Sequence, residues 1–232
     1  VSVRAFLPAD ADSPGEGQEL ELDEDESRYL VKVRRVDPGG RFELLDGRGG
    51  VWTATLVARG RRARVEVGPA RSPSTPPDPR VILLGLPDAA ATLEALTGAS
   101  ELGASEVVFV RCERSQGHLP SRARIERVLR AAMRQCGRPA PPELLGASPD
   151  KPWTLRDALA HRSELPGVYG EPAAEDPGPM ARGVRLLIGP EGGLTPSEVE
   201  AARAAGFSPA TLGPWVLRTP TAVIAMLART WY

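Results

Sequence analysis

The stretch Leu186-Leu187-Ile188-Gly189-Pro190-Glu191-Gly192-Gly193-Leu194-Thr195-Pro196-Ser197-Glu198 runs from an apolar strand through a glycine-rich bend into a marked helix start. Thr195 with Glu198 three residues on has the spacing of a capping box, and Pro196 stands at the first helical position, where its missing N–H costs nothing. Gly189, Gly192 and Gly193 let the backbone turn tightly and bring bare peptide groups to a ligand at the carboxyl end of a strand, the usual binding edge of an open α/β sheet. The spacing matches neither a dinucleotide fingerprint nor a phosphate-loop lysine motif.

One strand and one helix later the pattern repeats. Phe207 to Leu212 reads as a strand, Gly213-Pro214-Trp215-Val216-Leu217-Arg218-Thr219-Pro220 as a loop, and Val223 to Trp231 as a helix, with Thr219 and Pro220 suited to its start. Two such corners on one sheet edge can wrap a flat apolar ring and hydrogen-bond its rim through backbone groups. Adenine is such a ring.

Outward from the corners, strands and helices alternate. Val81-Ile82-Leu83-Leu84 and Val184 to Ile188 are continuous apolar runs, as expected of parallel strands buried on both faces. Glu106 to Val110 and Gly167 to Gly170 complete the strands, and Ala89 to Leu102 and Thr154 to His161 read as helices, so the fold class is α/β with helices on both faces of a mostly parallel sheet. Ser121 to Cys136 is a further helix, whose buried stripe is Ile125, Val128, Leu129, Ala132, Met133 and Cys136. Residues 1–70 read instead as an all-β module, with strands at Val1 to Leu7, Tyr29 to Val36, Arg41 to Leu45, Val51 to Ala58 and Arg64 to Val67. The proline-rich segment 71–79 is the expected linker, leaving 80–232 as the second domain.

Composition limits the function. With 232 residues, 41% hydrophobic and 25% charged, the chain is a globular protein; no run is long and apolar enough for a membrane helix, and Val1 to Asp10 lacks a signal-peptide layout, so a cytoplasmic location is expected. Two cysteines and two histidines give a disulfide framework or a zinc site almost no material, and no metal is expected. The net charge of −1 hides clustering. Glu19 to Glu26 is an acidic run, expected to be a solvated loop. Arg111 to Arg138 carries eight arginines against two acids, enough to neutralise several phosphates of a nucleic acid.

The pair Ile188-Gly189-Pro190-Glu191-Gly192-Gly193 and Leu212-Gly213-Pro214-Trp215-Val216-Leu217-Arg218-Thr219, in this order and spacing, resembles the RsmE-type branch of the SPOUT RNA methyltransferases. Glu101-Leu102-Gly103, Glu113-Arg114-Ser115, Arg134-Gln135-Cys136-Gly137-Arg138, Val33-Arg34-Arg35 and Asp46-Gly47 extend the likeness nearly end to end. The resemblance implies an N-terminal PUA-like β-barrel for RNA, a C-terminal trefoil knot, S-adenosyl-L-methionine as methyl donor, a homodimer, and N3 of a uridine in 16S ribosomal RNA of the small subunit as methyl acceptor. It assigns the cofactor to Ile188, Gly189, Pro190, Glu191, Gly192, Gly193, Leu212, Gly213, Val216, Leu217 and Thr219. RNA contacts fall to Arg35, Arg114, Arg134 and Arg138. The chain departs from the family pattern at Pro220, where glutamate is usual, at Tyr29, where a histidine is usual, and near Asp88 and Gly98, where lysines are usual.

A neutral uridine N3 is a poor nucleophile, so an enzyme must orient it, take its proton and spread the resulting charge. Arg218, Arg114 and Arg138 are the candidates for gripping the base and its phosphates, with a carboxylate, Glu191 or Glu113, or a water to take the proton. Three of these have a plainer reading: Arg218 can bond helix-end carbonyls or the knot loop, Arg138 can pair with an acid at its helix terminus, and Glu191 can hold the bend by accepting backbone N–H bonds. Two other functions stay open at this point, a non-catalytic RNA-binding or ribosome-assembly factor on the same scaffold and methylation of another RNA atom such as a ribose 2′-oxygen.

Overall fold

The computed structural model describes residues 3–8, 11–72, 78–148, 151–172, 174, 175, 178 and 180–231. The chain divides into two compact units, Val1–Thr75 with Arg130–Pro141 and Pro76–Leu129 with Pro142–Tyr232. Most of the proline-rich linker, residues 73–77, and the first two residues of the expected first strand lie outside the described residues. No helix among the described residues is long and apolar enough to cross a membrane.

In the first unit, strands β1 (Arg4–Phe6), β2 (Glu19–Glu21), β3 (Arg41–Leu45), β4 (Val51–Ala58) and β5 (Arg64–Arg71) form one sheet in the order β1-β3-β4-β5-β2. β1 joins β3 in parallel and the other pairs are antiparallel. Their inward residues, among them Phe42, Leu44, Trp52, Leu56, Val65 and Val67, pack with Leu22 and Leu30 into one core. Tyr29 to Val36 is not a strand. Helix α1 (Glu24–Arg28) runs into a π-turn at Tyr29–Val33, burying Leu30 and leaving Val33 exposed. The alternating apolar residues there satisfy a strand pattern, but β propensity is context and the sheet has no place for them.

The acidic run is likewise not all solvated. Glu26 is 4% exposed, accepts the Phe6 amide at 3.0 Å, and pairs with Arg130 and Arg134. Both arginines belong to the second half of helix α3 (Arg122–Cys136), the part that counts with the first unit. Within α3, Ile125, Leu129, Ala132 and Met133 are buried as the periodicity requires, but Cys136, on the last turn, is exposed.

The second unit carries a parallel sheet in the order β12-β10-β11-β6-β7-β8, made of β6 (Arg80–Gly85), β7 (Glu106–Arg111), β8 (Glu143–Leu145), β10 (Gly167–Gly170), β11 (Val184–Ile188) and β12 (Phe207–Ala210). The short β9 (Trp153–Thr154) also pairs with β7. Every residue of β6 and β11 is buried, because helices cover both faces. On one face α2 (Ala89–Glu101), the start of α3 and α6 (Thr219–Ala228) pack on Ile82, Leu84 and Phe109. On the other, α4 (Leu155–Ala160) and α5 (Pro196–Ala204) pack on Val81, Leu83 and Leu187. β10 lies between β11 and β12, so the connection through α5 crosses one strand and sets three carboxyl ends side by side.

Candidate functional site

The two corners meet. Leaving β11, the chain turns at Gly189 to Gly193, closed by the Gly193 amide on the Pro190 carbonyl at 2.8 Å, with Gly193 at φ +69°. Thr195 then starts α5: its amide donates to Glu198 Oε2 at 2.8 Å and its hydroxyl accepts the Glu198 amide at 3.3 Å, the reciprocal capping box the spacing predicts. Leaving β12, the second loop turns at Gly213, whose φ of +120° strains any residue with a side chain. Its amide donates to Thr211 Oγ1 at 3.2 Å. The Thr219 hydroxyl, at the start of α6, donates to the Gly189 carbonyl at 3.2 Å and ties the second corner to the first.

Between them lies a cleft of about 360 Å³, within the size range of small-molecule sites. All eleven residues assigned to the cofactor line it: Ile188, Gly189, Pro190, Glu191, Gly192, Gly193, Leu212, Gly213, Val216, Leu217 and Thr219. Trp215, 77% exposed, stands at its lip. Besides Trp215, four apolar side chains of the lining lie outside that set: Leu194 and Val199 from the first corner and its helix, and Ala222 and Met226 from α6. So do Gly170, Glu171 and Pro172 at the end of β10, a segment readable as a strand with a turn but not as the neighbour of β11 and β12. The lining suits a nucleoside: open backbone edges for a ring's hydrogen bonds and aliphatic walls for its faces.

A family of RNA methyltransferase domains matches residues 75–231, and a family of RNA methyltransferase PUA domains matches residues 22–67. The ribosomal RNA small subunit methyltransferase E of Mycobacterium bovis is 30% identical over 233 residues, covering 92% of this chain and 86% of its own. The chain belongs to the ribosomal RNA small subunit methyltransferase E family. Its counterpart of the same description in Synechocystis is 32% identical, over 87% of this chain and 69% of its own. Among solved structures, a ribosomal RNA small subunit methyltransferase E from Neisseria gonorrhoeae, bound to S-adenosyl methionine, is 28% identical with a TM-score of 0.80, over 98% of this chain and 96% of that one.

The residues that the family resemblance assigns to RNA and chemistry are placed unevenly. Arg114 is exposed and does not itself line the cleft, but it donates at 3.0 Å to the carbonyl of Gly192, which does. Arg218, the N-cap residue of α6, is exposed, and its guanidinium takes no partner among the described residues. Glu191 accepts the Asp88 amide at 3.1 Å, so it joins the glycine bend to the start of α2. Arg35, Arg134 and Arg138 belong to the first unit. Arg35 is exposed, held at φ +54°. Arg134 is occupied: it pairs with Glu26 and lies over the Tyr29 ring at 4.1 Å. Arg138 is half-buried, and burial pushes its pKa below the ordinary arginine value.

A polar cluster lies away from the cleft. Glu106, 3% exposed, meets His161 Nε2 at 2.5 Å and Arg162 at 2.6 Å. Burial works to raise its pKa, but the hydrogen bonds from His161 and Arg162 outweigh it, and the carboxyl is held below the ordinary glutamate range. Cys112 is buried, and loss of hydration beside Glu198 pushes its thiol up to about 12, an inert cysteine.

Proposed function

We propose that this chain transfers a methyl group from S-adenosylmethionine to N3 of a uridine in 16S ribosomal RNA. The observation that carries the reading is the union of two glycine-bearing corners in one cleft, tied by the Thr219 hydroxyl on the Gly189 carbonyl. The cofactor fits that cleft on chemical grounds. Open backbone at Gly193 and Gly213, where an added Cβ would meet nothing within 4 Å, leaves room for a ligand, and Ile188, Leu212, Leu217 and Met226 offer apolar walls. When bound, S-adenosylmethionine supplies an electrophilic methyl group on a sulfonium.

The chain's own residues then orient the base and manage its proton. Arg218, with its guanidinium unengaged, grips the uracil and offsets the negative charge that spreads onto the carbonyl oxygens as N3 loses its proton. Arg114 assists from the Gly192 side. Glu191 spends one oxygen on the Asp88 amide; the other is the proton acceptor in this reading. The family's glutamate is replaced by Pro220, buried in the first turn of α6, where the fold tolerates it without a side-chain partner.

The first unit serves as the RNA-binding PUA-like domain, with Arg35 and Arg138 as its contacts; the exposed α3 arginines Arg122, Arg124 and Arg127 add phosphate neutralisation. The protein acts as a homodimer in the cytoplasm, with its C-terminal segment threaded as the family's trefoil knot. Nucleoside mass spectrometry after incubating small-subunit rRNA with the protein and S-adenosylmethionine tests the reading. It expects 3-methyluridine; a ribose-methylated product would move the chemistry to the 2′-oxygen, and absence of both product and cofactor binding would leave an assembly factor.

A further inference from the structure

Glu198 lies in the first turn of α5, 9% exposed, and its two carboxylate oxygens serve two different loops. Oε2 accepts the Thr195 amide at 2.8 Å and closes the capping box. Oε1 accepts the Glu113 amide at 2.8 Å, across 85 residues of chain. A capping box requires only the first bond.

The second bond fixes the turn that follows β7. That turn is closed by the Ser115 amide on the Cys112 carbonyl at 3.1 Å and by the Cys112 amide on Ser115 Oγ at 3.2 Å, and Arg114 is carried at its tip. From there Arg114 donates to the Gly192 carbonyl, and its Cβ lies so close that a methyl group on Gly192 would stand 3.1 Å from it. One buried carboxylate therefore holds both partners of the Arg114–Gly192 contact, the helix that anchors the glycine bend and the turn that carries the guanidinium.

We propose that Glu198 is a positioning residue for methyl transfer, acting through Arg114 by locking its turn against the glycine bend. The proposal rests on the methyl-transfer reading above. It requires a carboxylate, because two backbone donors converge on it. A glutamine has one acceptor oxygen, and its amide nitrogen would face an N–H with an N–H. Glu198→Gln can keep the Thr195 bond or the Glu113 bond, not both.

The test is a double-mutant cycle of Glu198→Gln and Arg114→Ala on kcat for rRNA methylation, with the dissociation constant for S-adenosylmethionine measured for each protein. Displacing a reacting-site group by about 1 Å can cost about a hundredfold in rate. Glu198→Gln is expected to lower kcat about tenfold or more, to leave cofactor affinity within about twofold, and to add nothing further in the Arg114→Ala background. Glu198→Asp, one methylene too short to serve both loops, is the second variant where the glutamine protein does not fold, with the same expected loss and the same cycle. Effects that multiply, an Arg114→Ala protein of native kcat, or a Glu198→Gln protein within twofold of the wild type would each overturn the proposal. A wild-type protein that methylates no RNA would instead refute the parent reading.

Discussion

Gly213→Ala separates the geometry of the second corner from its sequence. Gly213 sits at φ +120°, and an added Cβ would meet no protein atom within 4 Å, so the substitution introduces backbone strain with no collision inside the protein, while its methyl group takes up space the cleft offers the ligand. Such strain is worth about 1–3 kcal/mol for a non-glycine residue. It must appear in one of two places. If the loop keeps its conformation, the strain lowers stability, and for a chain of this length each kcal/mol lowers Tm by about 2–4 °C. If the loop relaxes, the cleft edge from Leu212 to Leu217 moves, and the strain appears as lost cofactor affinity, about tenfold per 1.4 kcal/mol. Thermal melts and calorimetric titration with S-adenosylmethionine read both, and together they should account for at least about 1 kcal/mol. Gly17→Ala is the control: Gly17 also has positive φ and open space, in the first unit, so it should lose stability and leave the affinity alone. A Gly213→Ala protein with native Tm and a Kd within twofold would refute the reasoning.

Arg218→Ala should bind S-adenosylmethionine as the wild type does and lose roughly 10²–10³ in methyl transfer, the usual cost of removing one group that stabilises developing charge; native turnover would take Arg218 out of the chemistry. Because the pKa of Glu106 is depressed in the folded protein, its contribution to stability is full above the unfolded glutamate value, about 4.3, and is lost as pH falls through the lower folded value. Denaturation midpoints followed from pH 6 down should therefore fall more steeply for the wild type than for Glu106→Gln, and parallel curves would contradict the assignment. Of the two cysteines, Cys136 is exposed and Cys112 buried with its thiol pushed up to about 12, so a thiol reagent at pH 8 should modify one cysteine quickly and the other only on unfolding.

The features legible from the sequence are those with local causes. The apolar runs of β6 and β11 report burial on both faces, and the Thr195 and Glu198 spacing reports a helix start, because residues three apart decide it. β4, β10 and β11 have the expected bounds for the same reason: turn residues flank each of them. What escaped depends on partners distant in the chain. The pattern of Tyr29 to Val33 fits a strand, and only the packing of Leu30 into the first unit's core makes it helical. Glu26 looks like one more solvated acid until the tertiary fold gives it the Phe6 amide and two arginines. At the site, each corner was readable alone, but the third wall, Gly170 to Pro172, is there because β10 is inserted between β11 and β12, a fact of sheet order with no local signature. The tie from Glu198 to Glu113 was hidden in the same way, since a capping box explains the glutamate without it.

The central claim is that both glycine-bearing corners hold one methyl-donor nucleotide, and a crystal structure of the protein soaked with S-adenosylmethionine examines it most directly. The ligand should lie between Ile188–Gly193 and Leu212–Thr219, with hydrogen bonds to main-chain groups of each. Density for the ligand on one loop alone, or at any other part of the chain, would contradict the account.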